Sequence, residues 1–582
     1  MLDAHDVSMT FAARGAKPVT ALDGVTLSAK RGQVTGFVGP DGAGKTTLLR
    51  ITIGLLVPTA GTVTVLGLDA TKDIDTTRNL VGYMPQQFGL YEDLTVQENL
   101  DLYADLQNVP QQQRSERYRR LLTMTGLGSF TQRQAGRLSG GMKQKLGLAC
   151  CLVKSPHMLV LDEPTVGVDP VSRRDLWDIV YELVDRDGIG VMLSTAYLDE
   201  AEHCHHVVLM HEGRILDQGP PAGFHEQVKG RVYLVEPATG LIPRDVQARL
   251  SERTDVIDAT IRSGQIRTVF SKDAPAGIPS LPHEYAASVR RVDPVFEDAF
   301  VDRLAAEGLR QHITGLETAK QISRDMDETV VRINNLIKKF GNFTAVQDIS
   351  FTVQRGEVFG LLGSNGAGKT TTFRMLCGLL PASGGEISVA GHDLRRSPAE
   401  ARSRIGYMAQ KFSLYLQLPV SHNLRFYGQA YGLAGEQLNT RIDWAFDEFD
   451  LRDWRDATAG SLPGGYRQRL AMAVAMIHEP DILFLDEPTS GADPHARREF
   501  WLRINSFARS GVTVVVTTHF MEEAEFCDHM LIMSQGATLA QGTPRAIRTL
   551  ARTVDNPEPT MDDAFIGLAE GWITPDRQGE HA

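Results

Sequence analysis

The chain states one long text twice. Gly39-Pro-Asp-Gly-Ala-Gly-Lys-Thr46 returns as Gly363-Ser-Asn-Gly-Ala-Gly-Lys-Thr370, an offset of 324. Gly82-Tyr-Met-Pro-Gln86 returns as Gly406-Tyr-Met-Ala-Gln410, and Leu161-Asp-Glu-Pro-Thr165 as Leu485-Asp-Glu-Pro-Thr489, in the same register. A register held that long calls for two duplicated domains rather than a solenoid of short units. The offset is 323 at Asp199-Glu-Ala-Glu202 against Glu522-Glu-Ala-Glu525, but 265 at Pro294-Val-Phe-Glu-Asp-Ala-Phe300 against Pro559-Thr-Met-Asp-Asp-Ala-Phe565. The difference, 58 residues, follows the first copy and is missing from the second.

Each copy alternates short apolar strands with helical segments, which implies an α/β core around a mostly parallel sheet. Val34–Val38 reads as a buried strand, and Lys45–Leu56 as a helix ending before Pro58; Phe359–Leu362 and Lys369–Leu380 repeat that plan. The extra segment reads as a small α+β module, with strands at Arg231–Val235 and Ile266–Phe270 and a helix at Asp245–Leu250. Residues 309–327 are more polar and read as linker.

Two motifs carry chemistry. The first is G-x-x-x-x-G-K-T between a strand and a helix, found twice. Its glycines let backbone amides wrap phosphates at a helix N-terminus. Gly39, Asp41, Gly42, Gly44 and Thr47 belong to the first loop; Gly363, Asn365, Gly366, Gly368 and Thr371 belong to the second. Lys45 and Lys369 would reach the β- and γ-phosphates of ATP, and Thr46 and Thr370 would ligate Mg²⁺. The second motif is an apolar strand ending in two carboxylates, Asp162-Glu163 and Asp486-Glu487. The aspartates would hold Mg²⁺ and the glutamates would polarise the attacking water.

A third element sets the family. Leu138-Ser139-Gly140-Gly141-Met142 precedes the first carboxylate pair by about 20 residues and resembles the signature loop of ATP-binding-cassette (ABC) ATPases. Gln86 and Gln410 resemble that family's Q-loop glutamines, Asp169 and Asp493 its D-loop aspartates, and His519 its switch histidine. Phe11 and Phe340 stand where it has an adenine-stacking aromatic. The resemblance implies two P-loop ABC-type nucleotide-binding domains in tandem, at 1–227 and 329–555, with the α+β insert at 228–293, a helical end and linker at 294–328, and a helical tail at 556–582. It also implies that cassettes pair head to tail, within one chain or, as the alternative, between two chains, each ATP touching the phosphate loop of one and the signature of the other.

The copies differ at two places. The second signature reads Leu462-Pro463-Gly464-Gly465-Tyr466, so proline replaces Ser139 and removes both a hydroxyl and a backbone N–H. The first switch reads Thr195-Ala196-Tyr197 against Thr518-His519-Phe520, so Ala196 cannot hydrogen-bond phosphate or water. In the implied pairing both losses fall on site one. Site two, with Lys369, Asp486, Glu487, His519 and the opposing Ser139, Gly140 and Gly141, is expected to supply most turnover. Its catalytic residues would be Glu487 and His519; in site one Glu163 acts alone.

What the motor drives is narrowed by composition. The chain has no apolar stretch near the length of a membrane span and no leader at Met1–Thr10. Sixty Lys and Arg against 72 Asp and Glu argue against a grip on nucleic acid or anionic lipid. Residues 221–328 hold 14 basic and 17 acidic residues, a poor RNA-binding linker, which disfavours a ribosome-associated tandem ATPase. The five cysteines form no C-x-x-C pair and read as free, mostly buried thiols; His203-Cys204-His205-His206 reads as a solvated or packed helix end rather than a metal site. Gly89–Leu100, Pro164–Pro170 and the Asp-Ala-Phe ends resemble type-2 ABC export ATPases, whereas a sugar-type importer ATPase is the other tandem-cassette reading. The exporter resemblance implies efflux of drugs or similar small molecules, two integral-membrane permease partners, and a peripheral place on the cytoplasmic face of the plasma membrane without insertion.

Overall fold

The computed structural model describes residues 1–12, 18–86, 89–274, 281–282, 285–308, 328–554 and 556–573. The linker expected at 309–327 and the last nine residues of the tail lie outside that set. The chain forms two compact units, one mainly from Met1–Val232 and Asp293–Leu309, the other mainly from Tyr233–Val292 and residues 328–573.

The first unit is built on a six-stranded sheet with spatial order Arg214–Gly219, His206–His211, Val34–Val38, Gly190–Thr195, Met158–Asp162, Val81–Met84. All neighbours are parallel except the first pair. Parallel strands covered on both faces read as continuous apolar runs, and Met158–Asp162 and Gly190–Thr195 are buried along their whole length. A four-stranded antiparallel sheet adds Val19–Ala29, Leu2–Phe11, Ala60–Val65 and Leu68–Asp69. One core joins both sheets to the helix Lys45–Thr52, with Leu2, Val25, Phe37, Leu48 and Val160 among its members.

That helix is shorter than its sequence pattern suggests. Gly54 takes φ +67°, and the Gly54 and Leu55 amides bond back to the carbonyls of Ile51 and Arg50. A left-handed glycine after the last turn ends the helix before Pro58 can. Gly378 does the same after Lys369–Leu376.

The second unit repeats this plan. Its large sheet runs Ile405–Met408, Ile482–Asp486, Thr513–Thr518, Val358–Gly363, His529–Ser534, Ala537–Gly542. It also contains the extra module, a four-stranded sheet ordered Val256–Arg262, Gln265–Phe270, Val232–Pro237, Ala286–Arg291 with the helix Pro243–Ser251. This is the strand order of a split-βαβ, ferredoxin-like layout. Tyr233, Val246, Leu250, Ile266 and Phe270 form its core. The chain therefore leaves the first unit at Val232, contributes Tyr233–Val292 to the second, and re-enters the first at Asp293, where the helix Phe296–Ala306 packs through Phe296 on Phe224.

Candidate nucleotide sites

Both phosphate loops join a buried strand to a helix that opens at the lysine. Gly44 and Gly368 sit at φ +99° and +101°. A Cβ on Gly44 would meet the Ala21 carbonyl oxygen at 2.5 Å, and one on Gly368 the Ala345 carbonyl oxygen at 2.7 Å. Only glycine fits such a close approach in the left-handed region. Lys45 Nζ donates to the carbonyls of Gly39 at 2.6 Å and Pro40 at 3.0 Å; Lys369 Nζ does the same to Gly363 and Ser364. Each ammonium is thus held across its own loop, at the position a phosphate needs it.

The carboxylate strands end beside these loops. Thr46 Oγ1 donates to Asp162 Oδ1 at 3.0 Å, and Ser194 Oγ donates to the same oxygen at 2.7 Å. Asp162 Oδ2 is buried without a hydrogen-bond partner among the described residues. A threonine hydroxyl and a carboxylate with open acceptor capacity are a hard-oxygen donor set, which fits Mg²⁺. In the second cassette Thr517 Oγ1 donates to Asp486 Oδ1 at 2.6 Å, and Thr370 is the second residue of the loop helix. Burial raises the Asp486 carboxyl above its ordinary value, with the Thr517 bond opposing.

Glu163 and Glu487 both occupy left-handed backbone, φ +50° and +46°. Strained non-glycine residues of this kind cluster at functional sites. Their amides are pinned from the neighbouring strand, by Ser194 Oγ and Thr517 Oγ1, each at 2.9 Å. Gln86 Nε2 donates to Glu163 at 2.6 Å and Gln410 Nε2 to Glu487 at 2.8 Å, so the Q-loop glutamines meet the glutamates directly.

The two cassettes part company at the switch. His519 Nδ1 lies 3.2 Å from Glu487 Oε2. Neither ring nitrogen has a hydrogen-bond partner among the described residues, and the side chain is 2% exposed. A buried imidazole with that capacity open fits a phosphate oxygen. Burial pushes the Glu487 carboxyl up, but His519 and Lys369 outweigh it and the group ends below its ordinary value. In the first cassette Ala196 holds the register position of His519, and no histidine acts on Glu163: burial raises its carboxyl, and Lys45 pulls back without offsetting the rise.

Ser139 caps the helix Gly140–Leu152 by accepting from the Met142 amide at 3.3 Å, whereas Pro463 gives Gly464–Met476 no side-chain cap. Gly141 packs where a Cβ would lie 2.2 Å from Ser172 Oγ, and Gly465 lies against Ala496. Phe11 and Phe340 are exposed rings at hairpin ends, paired with Val19 and Phe343. The strand opposite Phe11 runs on to Ala21 under Gly44, so the aromatic stands at the loop's edge. Asp41, Asn365 and Gly366 line the loops in the open; Thr47 and Thr371 are half-buried in the first turn of each helix.

One pair of residues escapes motif reading. Glu523 is fully buried; it accepts from Thr518 Oγ1 at 2.7 Å and from Thr489 Oγ1, and lies 3.7 Å from Arg497 Nε. It ties the switch helix Met521–Ala524 to the end of the strand Thr513–Thr518 and to the turn that follows Glu487. Glu200 is its counterpart, accepting from Thr195 Oγ1 at 2.5 Å and from Trp177 Nε1, and burial pushes its carboxyl up to about 7. The recurring Glu-Ala-Glu was the only signal. In the histidine tract nearby Cys204 is buried under Gly36 and His203 lies on Trp177, while His203 and His205 are open to solvent.

Two phosphate loops, each with its carboxylate strand, Q-loop and signature helix, define an ABC-type ATPase built twice in one chain. The ABC transporter family model matches residues 22–166 and 346–490, and the chain belongs to that family as a transporter's ATP-binding subunit, which hydrolyses ATP and works with membrane permeases. Over 558 residues it is 49% identical to the "Probable multidrug ABC transporter ATP-binding protein YbhF" of Escherichia coli K12, an alignment that covers 96% of each chain. The "Nod factor export ATP-binding protein I" of Burkholderia lata is 40% identical over 218 residues, 37% of this chain and 72% of that one.

Proposed function

We propose that this chain is the motor of a multidrug or small-molecule exporter, seated on the cytoplasmic face of the plasma membrane against two permease subunits. The observation that carries the exporter reading is the end-to-end likeness to YbhF, described as a probable multidrug transporter subunit. Among the described residues no helix is long and apolar enough to cross a membrane, so the path for cargo belongs to the partners. The test is purification from native membranes followed by reconstitution. Recovery with two polytopic proteins and ATPase stimulated by cationic or amphipathic drugs supports the reading; recovery with ribosomes, or uptake of a sugar, overturns it.

Within the motor, the second cassette's machinery is the more active. The loop amides and Lys369 bind the phosphates, and Glu487 accepts a proton from the water whose oxygen bonds to the γ-phosphorus as ADP leaves. His519 holds a γ-phosphate oxygen. Mg²⁺, held by Thr370 and Asp486 or by Thr46 and Asp162, would neutralise phosphate charge when bound. Ala196 stands in the first cassette where His519 stands in the second, and Pro463 stands in the second where Ser139 stands in the first. Ala196 supplies no polar group beside Glu163, and loss of one positioned donor commonly lowers turnover about 10²-fold.

A further inference from the structure

The extra module Tyr233–Val292 has no assigned role, and its contacts give one. It grips the second cassette through a polar network. Arg498, Asn505 and Arg509 lie on the helix Pro494–Arg509 at spacings of seven and four, which puts them on one face. Arg498 bonds Asp258 and Thr260 of the module, Asn505 Nδ2 donates to Gln247 Oε1 at 3.1 Å, and Arg509 pairs with Asp245 at 3.1 Å. Arg244, 4% exposed, donates to the Gly356 carbonyl at 2.6 Å and pairs with Asp528. At the tip of the module's hairpin, Ser263 and Gly264 take φ +50° and +80°, a tight two-residue turn. Ser263 Oγ bonds Glu525 and accepts from Arg548 at 2.8 Å.

These anchors are the flanks of the catalytic parts. Gly356 and Asp528 hold the start of the strand that feeds the phosphate loop, since Asp528 also accepts from the Val358 amide at 2.8 Å. Glu525 ends the switch helix that begins two residues after His519. The helix bearing Arg498 opens directly after Asp493.

The first cassette lacks the matching surface. In its register Asn505 becomes Tyr181, Arg509 becomes Asp185, Asp528 becomes His205, Arg545, which pairs with Glu236 of the module at 3.3 Å, becomes Ala222, and Arg548 becomes His225. Among the side-chain anchors Arg174 and Glu202 are kept, beside the backbone of Gly32 at the Gly356 position, and Glu202 is taken by the Phe296 amide at 2.7 Å and by His225. Asp185 would face Asp245 with like charge, and His205 offers Arg244 no carboxylate. Arg244, Gln247 and Asn505 are the buried members of the network, and a buried polar group left without its mate carries a desolvation cost that disfavours the mismatched surface.

We propose that residues 233–292 form an in-chain positioning module that recognises the second cassette and holds its switch segment in the setting where His519 meets Glu487. The proposal rests on the chain being an ATPase but not on which substrate it exports. The test is Asp258→Arg in the full-length chain, which sets two cations together at Arg498, and its reversal by Asp258→Arg/Arg498→Asp. Ser263→Asp, with a carboxylate against Glu525, probes the tip separately. Expected for Asp258→Arg and Ser263→Asp is a kcat lowered about three- to tenfold with KM for ATP within about twofold. Deuterium uptake should rise at 519–528 and stay unchanged at 196–205, and the charge swap should restore both readouts. Unchanged kcat in both single variants, equal uptake changes in the two cassettes, or no rescue by the swap overturns the proposal. A wild-type chain without ATPase would defeat the enzymatic reading instead, while the exchange data would still report docking.

Discussion

At the scale of residues, the two glutamates separate the cassettes by charge as well as by partner. Glu487 is pulled below its ordinary value by His519 and Lys369 against the effect of burial, whereas burial raises Glu163. A carboxyl must be ionised to take a proton from water, so a lowered pKa keeps the group competent to lower pH. Glu163→Gln leaves Glu487 as the working base, and steady-state ATPase should persist further into acid than in Glu487→Gln, where only Glu163 remains. The same pair should differ in size near neutral pH: Glu487→Gln removes most activity and Glu163→Gln the smaller share. Equal residual rates, or acid limbs in the reverse order, would sink the asymmetry. His478 supplies a second titration. It stacks on Tyr431 with ring centroids 3.7 Å apart, donates from Nε2 to the Ile405 carbonyl at 3.1 Å, and burial depresses its pKa from 6.5 to about 4. Between those values the unfolded chain binds the extra proton, so stability present above about pH 6.5 is lost as pH falls toward 4. The loss amounts to roughly 3 kcal/mol. His478→Phe keeps the stack and removes the titration; its unfolding midpoint should vary less between pH 7 and 4 than the wild type's.

At the scale of elements, the loop glycines are where backbone geometry decides function. Gly368→Ala sets a Cβ against the Ala345 carbonyl in left-handed backbone, a strain of roughly 1–3 kcal/mol that displaces the loop. Thermal unfolding with and without ATP should show both a lower midpoint and a smaller ATP-induced rise. Elements such as this loop were legible because their chemistry is local: Gly363 to Thr370 and Ile482 to Glu487 each need only a few consecutive residues. What the text hid depends on distant partners. The strand Val256–Arg262 carries Asp258, Thr260 and Arg262, which spoil its apolar pattern because that stretch answers to Arg498 far along the chain. Ala286–Arg291 is a largely exposed strand that pairs with Val232–Pro237, with little apolar signal of its own. The shortness of the loop helices follows from Gly54 and Gly378, which a propensity reading places inside the helix rather than at its end. Glu523 went unnoticed because a buried glutamate is identified by its threonine partners, not by its neighbours in sequence.

At the scale of the whole molecule, duplication has been followed by specialisation. Both copies keep the phosphate loop, the carboxylate strand and the Q-loop contact, while the switch, the signature and the surface that meets the extra module have diverged. The module inserted after the first copy is covalently part of one half and packed into the other unit. Its removal should therefore be felt by the cassette it touches. Replacing residues 233–292 with a short Gly/Ser linker would leave Asn505, Arg498 and the Gly356 carbonyl without the module's partners, and buried polar groups deprived of a mate cost roughly 1–3 kcal/mol each where water cannot replace it. Water reaches most of that surface once it is uncovered, so only a fraction of this penalty remains. A net loss of about 1–2 kcal/mol lowers the midpoint of a domain this size by roughly 2–8 °C. Calorimetry of the deletion chain should resolve a second-cassette transition shifted down by that amount, identified by its response to Lys369→Ala in the presence of ATP, while the transition that responds to Lys45→Ala stays within about a degree. A shift confined to the first cassette would mean that the module serves the half it follows in sequence, and its face of buried polar residues would then need another explanation.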